Sequence, residues 1–242
     1  MLGRVLHPWR VSYRQAVGIQ EELREWVRLE PLAGPLRLVA GADVAYSRPT
    51  HRMYAAVVVL ALPSFEVVVE AHATRRARFP YIPGLFTFRE VPPLLAAFER
   101  LRAEPDVLLF DGHGLAHPRR FGLACHAGLL LGRPAVGCAK SRLVGEHDEV
   151  DWRRGASTDL AFEGRVVGAV VRTRSGARPV FVSPGHLVDA RSAVQVVLQT
   201  TREFRIPEPL RLAHRATADL RRRLDTRLPP ARVRDYPDFV SD

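Results

Sequence analysis

Residues Asp106 to Arg120 read Asp-Val-Leu-Leu-Phe-Asp-Gly-His-Gly-Leu-Ala-His-Pro-Arg-Arg. The apolar run Val107 to Phe110 is long enough for one buried strand, and it stops on a carboxylate, Asp111. Gly112-His113-Gly114 follows, which lets the backbone turn sharply and leaves room beside the acid. His113, His117 and Pro118-Arg119-Arg120 complete the stretch. An acid at the carboxyl end of a buried strand is where open α/β sheets place ligands. Asp-Gly alone would be an ordinary surface turn; the added His-Gly-x-x-His-Pro-Arg-Arg turns the reading toward a site.

Other residues could join that chemistry. Asp43 lies inside the apolar run Leu36 to Tyr46, and a lone carboxylate there is costly unless it is paired or binds a metal. Glu90 has two readings from its own stretch: a site carboxylate, or the acid of a Thr87-x-x-Glu90 capping box. Lys140 is the only lysine among 36 basic residues, and the chain has no asparagine. The other 35 are arginine, a bias that suggests drift from lysine to arginine wherever arginine serves; a lone lysine left at that position is either chance or a need for an ammonium. Phe79-Pro80-Tyr81-Ile82-Pro83-Gly84-Leu85-Phe86 is a stiff loop bearing Tyr81 and Ile82, which either pack on the core or bind something.

The composition narrows the partners. The 242 residues carry a net charge of +10, with a pI of about 10.8. That surplus favours an anionic partner, nucleic acid first. No apolar run is long enough to cross a bilayer and no secretory leader follows Met1, so a cytoplasmic protein is expected, with no membrane partner and its two cysteines, Cys125 and Cys138, reduced. A monomer is expected.

The elements that must position these residues follow from periodicity. Val11 to Leu29 reads as an amphipathic helix capped by Ser12. Strands are expected over Leu36 to Tyr46, Met53 to Leu62 and Phe65 to Ala73, joined as an antiparallel meander. Arg75-Arg76-Ala77-Arg78 reads as a basic loop, and Phe88 to Leu101 as a helix. After the central stretch come a helix over Phe121 to Leu131 and a short strand over Ala135 to Ala139 that ends at Lys140. Glu146 to Asp159 reads as a loop, Arg165 to Arg172 and Pro179 to Ser183 as a hairpin, and Val188 to Thr201 and Glu208 to Leu224 as helices, the last carrying His214. Residues 1–228 are expected to form a single domain and residues 229–242 a polar tail.

This order is that of the α/β ribonuclease H-like fold: a central mixed sheet, meander plus parallel strands, flanked by helices. There the strands bearing Asp43 and Asp111 are central neighbours, so the acids converge. Convergent carboxylates repel unless a cation lies between them, and oxygen ligands suit Mg²⁺, with Mn²⁺ as a substitute. Such ions assist phosphodiester hydrolysis.

The chain resembles the endonuclease V family of deoxyinosine-specific repair nucleases from about Val11 to Leu220. The resemblance is carried by Gly41-Ala42-Asp43-Val44-Ala45-Tyr46, Pro80-Tyr81-Ile82-Pro83-Gly84-Leu85 with Phe88-Arg89-Glu90, Asp111 through Arg120, Ala139-Lys140-Ser141 with Leu143 and Gly145, and Ser183-Pro184-Gly185-His186. It implies Asp43, Asp111 and Glu90 as metal ligands, with His214 at the family's fourth acidic-site position; Lys140, the only lysine and at the end of the strand expected beside Asp111's, is read from that placement as the further catalytic residue. It implies Pro80-Tyr81-Ile82-Pro83 as a wedge pushed into the duplex where the damaged base leaves the stack. Gly84, Leu85, Gly112, His117 and Gly122 would line the pocket for that base. The implied reaction cuts the second phosphodiester 3′ to deoxyinosine, in double- or single-stranded DNA, leaving a 3′-hydroxyl and a 5′-phosphate. Two alternatives keep the fold: an endoribonuclease acting on inosine-containing RNA, and a non-catalytic nucleic-acid-binding module, which the presence of all three carboxylates disfavours.

Overall fold

A computed structural model of the chain describes residues 6–227. The expected tail, residues 229–242, lies outside the described residues. The expected meander forms. Strands β1 (Leu38–Ser47), β2 (Arg52–Ala61) and β3 (Val67–Arg76) pair antiparallel in sequence order. Strand β4 (Val107–Phe110) lies parallel to β1 on its other side, with Val39 opposite Val107 and Ala42 opposite Phe110. Strand β5 (Ala135–Ala139) runs parallel to β4. Beyond it stand β8 (Val180–Pro184), β7 (Arg165–Val171) and β6 (Ser157–Phe162), each antiparallel to its neighbour. The order across the eight-stranded sheet is β3-β2-β1-β4-β5-β8-β7-β6. This is the expected ribonuclease H-like, mixed architecture, with β1 and β4 at its centre.

Helices cover both faces, because β1 and β4 are apolar on both. Helices α2 (Thr87–Phe98) and α3 (Leu123–Leu131) pack Val91, Leu94, Phe98 and Leu130 against Ala40, Ala42, Leu108 and Phe110. Helices α4 (Ala190–Gln199) and α5 (Glu208–Asp225) pack Val196 and Leu210 against Val39, Val107, Leu109 and Val136. Among the described residues no helix is long and apolar enough to cross a membrane. Cys125 and Cys138 are buried free thiols, and burial pushes both up to about 12, so neither is a ready nucleophile.

Four local expectations are corrected. Helix α1 (Tyr13–Leu23) does start on a Ser12–Gln15 capping box, but it gives way to a 3₁₀ turn over Arg24–Trp26 and leaves Trp26 exposed. Arg75 and Arg76 end β3 rather than sit in a loop. Strand β6 occupies part of the segment read as irregular; it is a sheet edge with only Leu160 buried, so it shows no apolar alternation. The capping box on α2 does not form. The helix begins at Thr87, its cap position is Phe86, and no side chain caps it. The Glu90 amide bonds the Phe86 carbonyl at 2.9 Å, so neither Thr87 nor Glu90 is spent on the helix end.

Candidate active site

Asp111 follows the last residue of β4, and Asp43 lies on β1, one residue beyond the β1–β4 pairing at Ala42–Phe110. Glu90 comes from the first turn of α2. Glu90 feels both aspartates. Burial first, and then the Asp43 carboxylate, push Glu90 up to about 8, with Asp111 adding to the shift and Arg89 opposing it. Glu90 is therefore largely protonated near neutral pH when no cation is bound.

Each aspartate is held by protein partners. The Thr217 hydroxyl donates to Asp43 Oδ2 at 2.6 Å, and His214 Nδ1 lies 3.2 Å from the same oxygen. His214 and Thr217 are one turn apart on α5, which presses close enough on β1 that a side chain at Gly41 would strike the Pro209 backbone, its Cβ 2.1 Å from the carbonyl carbon. Lys140, just past β5, donates to Asp111 Oδ2. Its own carbonyl accepts from Arg205 at 2.7 Å, which anchors the turn that carries it. Among the described residues no three His, Cys, Asp or Glu side chains stand as a ready-made ligand cluster. The donor set nevertheless fits a hard divalent cation, being all oxygen; after burial, the part of the Glu90 shift that comes from Asp43 and Asp111 is the repulsion such a cation would relieve.

Beside the acids stands the stiff loop. Tyr81 is 66% exposed and stacks on Phe86, the rings 5.5 Å apart and 7° from parallel. Ile82 packs partly on Phe79, Leu85 and Phe88. So the tip divides: Ile82 anchors and Tyr81 projects. The loop is fastened at Gly84, whose φ of +78° suits glycine. Its carbonyl accepts from His117 Nε2 at 2.9 Å, Arg119 at 2.8 Å and Gln20 at 3.1 Å. Nδ1 of His117 accepts from the Arg119 amide at 3.2 Å, so both ring nitrogens are committed.

Of the expected pocket residues, Gly84, His117 and Gly122 line one small cavity, joined by Phe86, Thr87, His113, Leu123 and Leu143. Leu85 and Gly112 are not in its wall; Leu85 is fully buried in the core beneath the loop. Sequence reasoning missed Thr217, Arg205 and Thr87. A serine or threonine three residues from a site histidine on one helix was the signal for Thr217.

A groove of about 560 Å³ lies not at the acids but adjoins them. Arg52, Arg75, Arg76, Arg78 and Arg89 line it, Trp9 and Phe88 contribute aromatic surface, and no acidic side chain lines it. It meets the site at Arg89, the neighbour of Glu90, whose guanidinium lies 3.9 Å from the centre of the Tyr46 ring on β1.

A mixed sheet with acids at its central strands, on a ribonuclease H-like plan, defines a class of nucleases. The family model for endonuclease V matches residues 21–215. The endonuclease V of Methanothrix thermoacetophila is 51% identical over 214 residues, covering 88% of this chain and 94% of the relative. The crystal structure of the Streptomyces avermitilis endonuclease V superposes with a TM-score of 0.87 at 40% identity, covering 93% of this chain and all of that one. The Ciona intestinalis endonuclease V, solved in complex with a 24mer DNA containing an inosine followed by a ribo-adenosine, gives a TM-score of 0.77 at 26% identity, covering 87% of this chain and 98% of that one. The chain belongs to the endonuclease V family. It is thus a phosphodiesterase of a family whose nucleases generally depend on divalent metal.

Proposed function

We propose that the protein is a Mg²⁺-dependent repair endonuclease that cuts the second phosphodiester 3′ to deoxyinosine, leaving a 3′-hydroxyl and a 5′-phosphate. The observation that carries the reading is the placement of Asp43 and Asp111 at the adjoining ends of the paired strands β1 and β4, with Glu90 of α2 feeling both charges and the only lysine bonded to Asp111. These three carboxylates would hold the ion, with Mn²⁺ as a substitute. When bound, it supplies charge neutralisation at the phosphate and a more acidic water. The inosine-containing DNA bound by the Ciona relative supports the substrate class.

The chain's own residues take the remaining roles. Lys140 holds the attacking water and offsets charge growing on the phosphate oxygens. His214 and Thr217 fix the Asp43 carboxylate. Tyr81 fills the gap left when the damaged base leaves the stack; stacking recovers about 1–3 kcal/mol per base. A mispaired base such as hypoxanthine costs least to extrude. The cavity beside Gly84, His117 and Gly122 receives it. The arginine groove takes phosphates of the flanking strand. The same reading takes residues 1–228 as one catalytic domain followed by a tail, working as a cytoplasmic monomer.

The test is cleavage of a deoxyinosine strand with and without Mg²⁺, for the parent, Asp43→Asn and Asp111→Asn, with a matched inosine RNA strand alongside. Cleavage is expected only from the parent, only with the metal and at the second 3′ bond, while both variants keep most of their binding. Cleavage by either variant near the parental rate sinks the metal assignment. Faster cutting of the RNA strand replaces the DNA substrate with RNA.

A further inference from the structure

Arg52, Arg75, Arg76, Arg78 and Arg89 line one groove, and among the described residues no acidic side chain lines it with them. Trp9 and Phe88 add aromatic wall. Guanidiniums gathered without acids repel one another, so the groove gains from an anion, and its aromatic wall favours one that carries rings. The groove lies where β2 begins, at Arg52, and β3 ends, at Arg75 and Arg76. The acid-rich loop Glu146 to Asp151 cannot serve it. Glu146 is bridged to Ala161 of β6, at the opposite edge of the sheet from β3.

A second acidic segment closes the sequence. Asp235-Tyr236-Pro237-Asp238-Phe239-Val240-Ser241-Asp242 holds three aspartates, two aromatic residues and no lysine or arginine. It follows Arg221 to Arg234, a stretch with six arginines and one acid, so the charge reverses at Asp235. The described chain leads this segment to the groove. Helix α5 ends at Asp225, whose Oδ1 accepts from the Tyr54 hydroxyl at 2.6 Å and the Thr50 hydroxyl at 3.1 Å. Thr50 and Tyr54 flank Arg52, a groove residue, at two positions on either side. Asp235 comes eight residues after Arg227, the last residue described, and eight residues of extended chain reach about 26–29 Å.

We infer that residues 235–242 dock in the arginine groove of their own chain, their aspartates against the guanidiniums and their rings against the aromatic wall, and that DNA must displace them. The displacement rests on the reading of the groove as a path for phosphates; the docking does not. A tethered segment acts at an effective concentration on the order of 1 mM. A contact with a Kd of about 0.1–0.5 mM, weak by itself, then costs a competing duplex about threefold to tenfold in affinity. The cost is the same on every duplex, because every duplex brings phosphates. The segment therefore lowers occupancy of undamaged DNA and leaves the choice of lesion to the wedge and the base cavity.

Two measurements on the full chain test this. In the first, Tyr236→p-benzoylphenylalanine is irradiated at low salt, and the cross-linked peptides are identified. Cross-links within one chain to residues 74–78 or 88–93 are expected, and an undamaged duplex should suppress them. Cross-links only elsewhere, only between two copies, or none at all overturn the docking. In the second, Asp235→Asn, Asp238→Asn and Asp242→Asn are combined, and binding of a short undamaged duplex is measured. Affinity should rise about threefold to tenfold, and the gain should vanish when Arg75→Ala and Arg78→Ala are added. A gain that persists without those arginines is long-range charge alone and overturns the proposal. Groove cross-links that a saturating duplex leaves intact, with affinity unchanged by the aspartate substitutions, overturn the groove as a phosphate path while the docking stands.

Discussion

Lys140 pairs with Asp111, its ammonium donating to Oδ2 across the gap between the ends of β5 and β4. A compact ammonium can bond one carboxylate oxygen and still reach a water or a phosphate oxygen. A guanidinium is wider and planar, and it cannot exchange a proton near neutral pH. Lys140→Arg keeps the charge, so folding and DNA binding should persist. Turnover should fall, by about tenfold to a thousandfold if the loss resembles that of one oxyanion donor. Arg76→Lys, in the groove, is the control and should be nearly silent. Parental turnover in Lys140→Arg at saturating Mg²⁺ would falsify the catalytic role and leave the lone lysine an accident of composition.

Tyr81 projects while its neighbour Ile82 is anchored, so the two should respond differently to truncation. Tyr81→Ala removes surface from the solvent side and should leave the thermal midpoint almost unchanged. It should weaken discrimination between inosine-containing and normal duplex more than general binding, because the wedge acts only where a base leaves the stack. Competition binding with both duplexes measures this; equal losses on both would show that Tyr81 does not act at the lesion.

Much of this arrangement was legible before any coordinates. Val107–Phe110 and Ala135–Ala139 fall within the expected bounds because both are short runs buried on both faces and closed by turn residues. Asp43 and Asp111 stand out because a carboxylate in or just after such a run needs a reason. Ser157–Phe162 was hidden because an edge strand needs little apolar pattern when β7 supplies its partner. Thr87-x-x-Glu90 misled because the same spacing serves a cap, and only the helix start shows that neither side chain caps it. The contact of His7 with His126 spans 119 residues and leaves no local signal.

The arginine groove should govern affinity without governing choice. Phosphates are present on every duplex, so Arg75→Ala with Arg78→Ala should weaken inosine and normal DNA about equally. Each lost phosphate contact should lower the slope of log affinity against log salt by about 0.9 for duplex DNA. Cleavage at saturating DNA should hold, since neither residue borders the carboxylates. A salt slope unchanged by both substitutions would remove the groove from the DNA path.

His126, fully buried on α3, pairs with His7 at 2.7 Å between their Nε2 atoms. Burial holds His126 well below its usual range, and His7 pushes it further. Burial also lowers His7, against its bond to the Pro8 carbonyl. The pair sits among Trp9, Phe88 and Phe121, and among the described residues no acid raises either ring. In the unfolded chain both rings titrate near about 6.5. Below that pH the unfolded chain binds protons that the folded one refuses. Stability is therefore complete above about pH 6.5 and declines as pH falls toward the folded values. At about pH 5.5 a strongly depressed histidine costs about 1.4 kcal/mol, or about 3–6 °C in thermal midpoint for a chain of this size. His113 and His117, both lowered to about 4 by burial, add to the decline in the same direction. His126→Gln keeps a hydrogen-bonding group and removes the titration, so its midpoint should fall less between about pH 7.5 and 5.5 than the parent's. Parallel slopes for the two proteins would mean that His126 accepts its proton in the folded state, against the burial seen here.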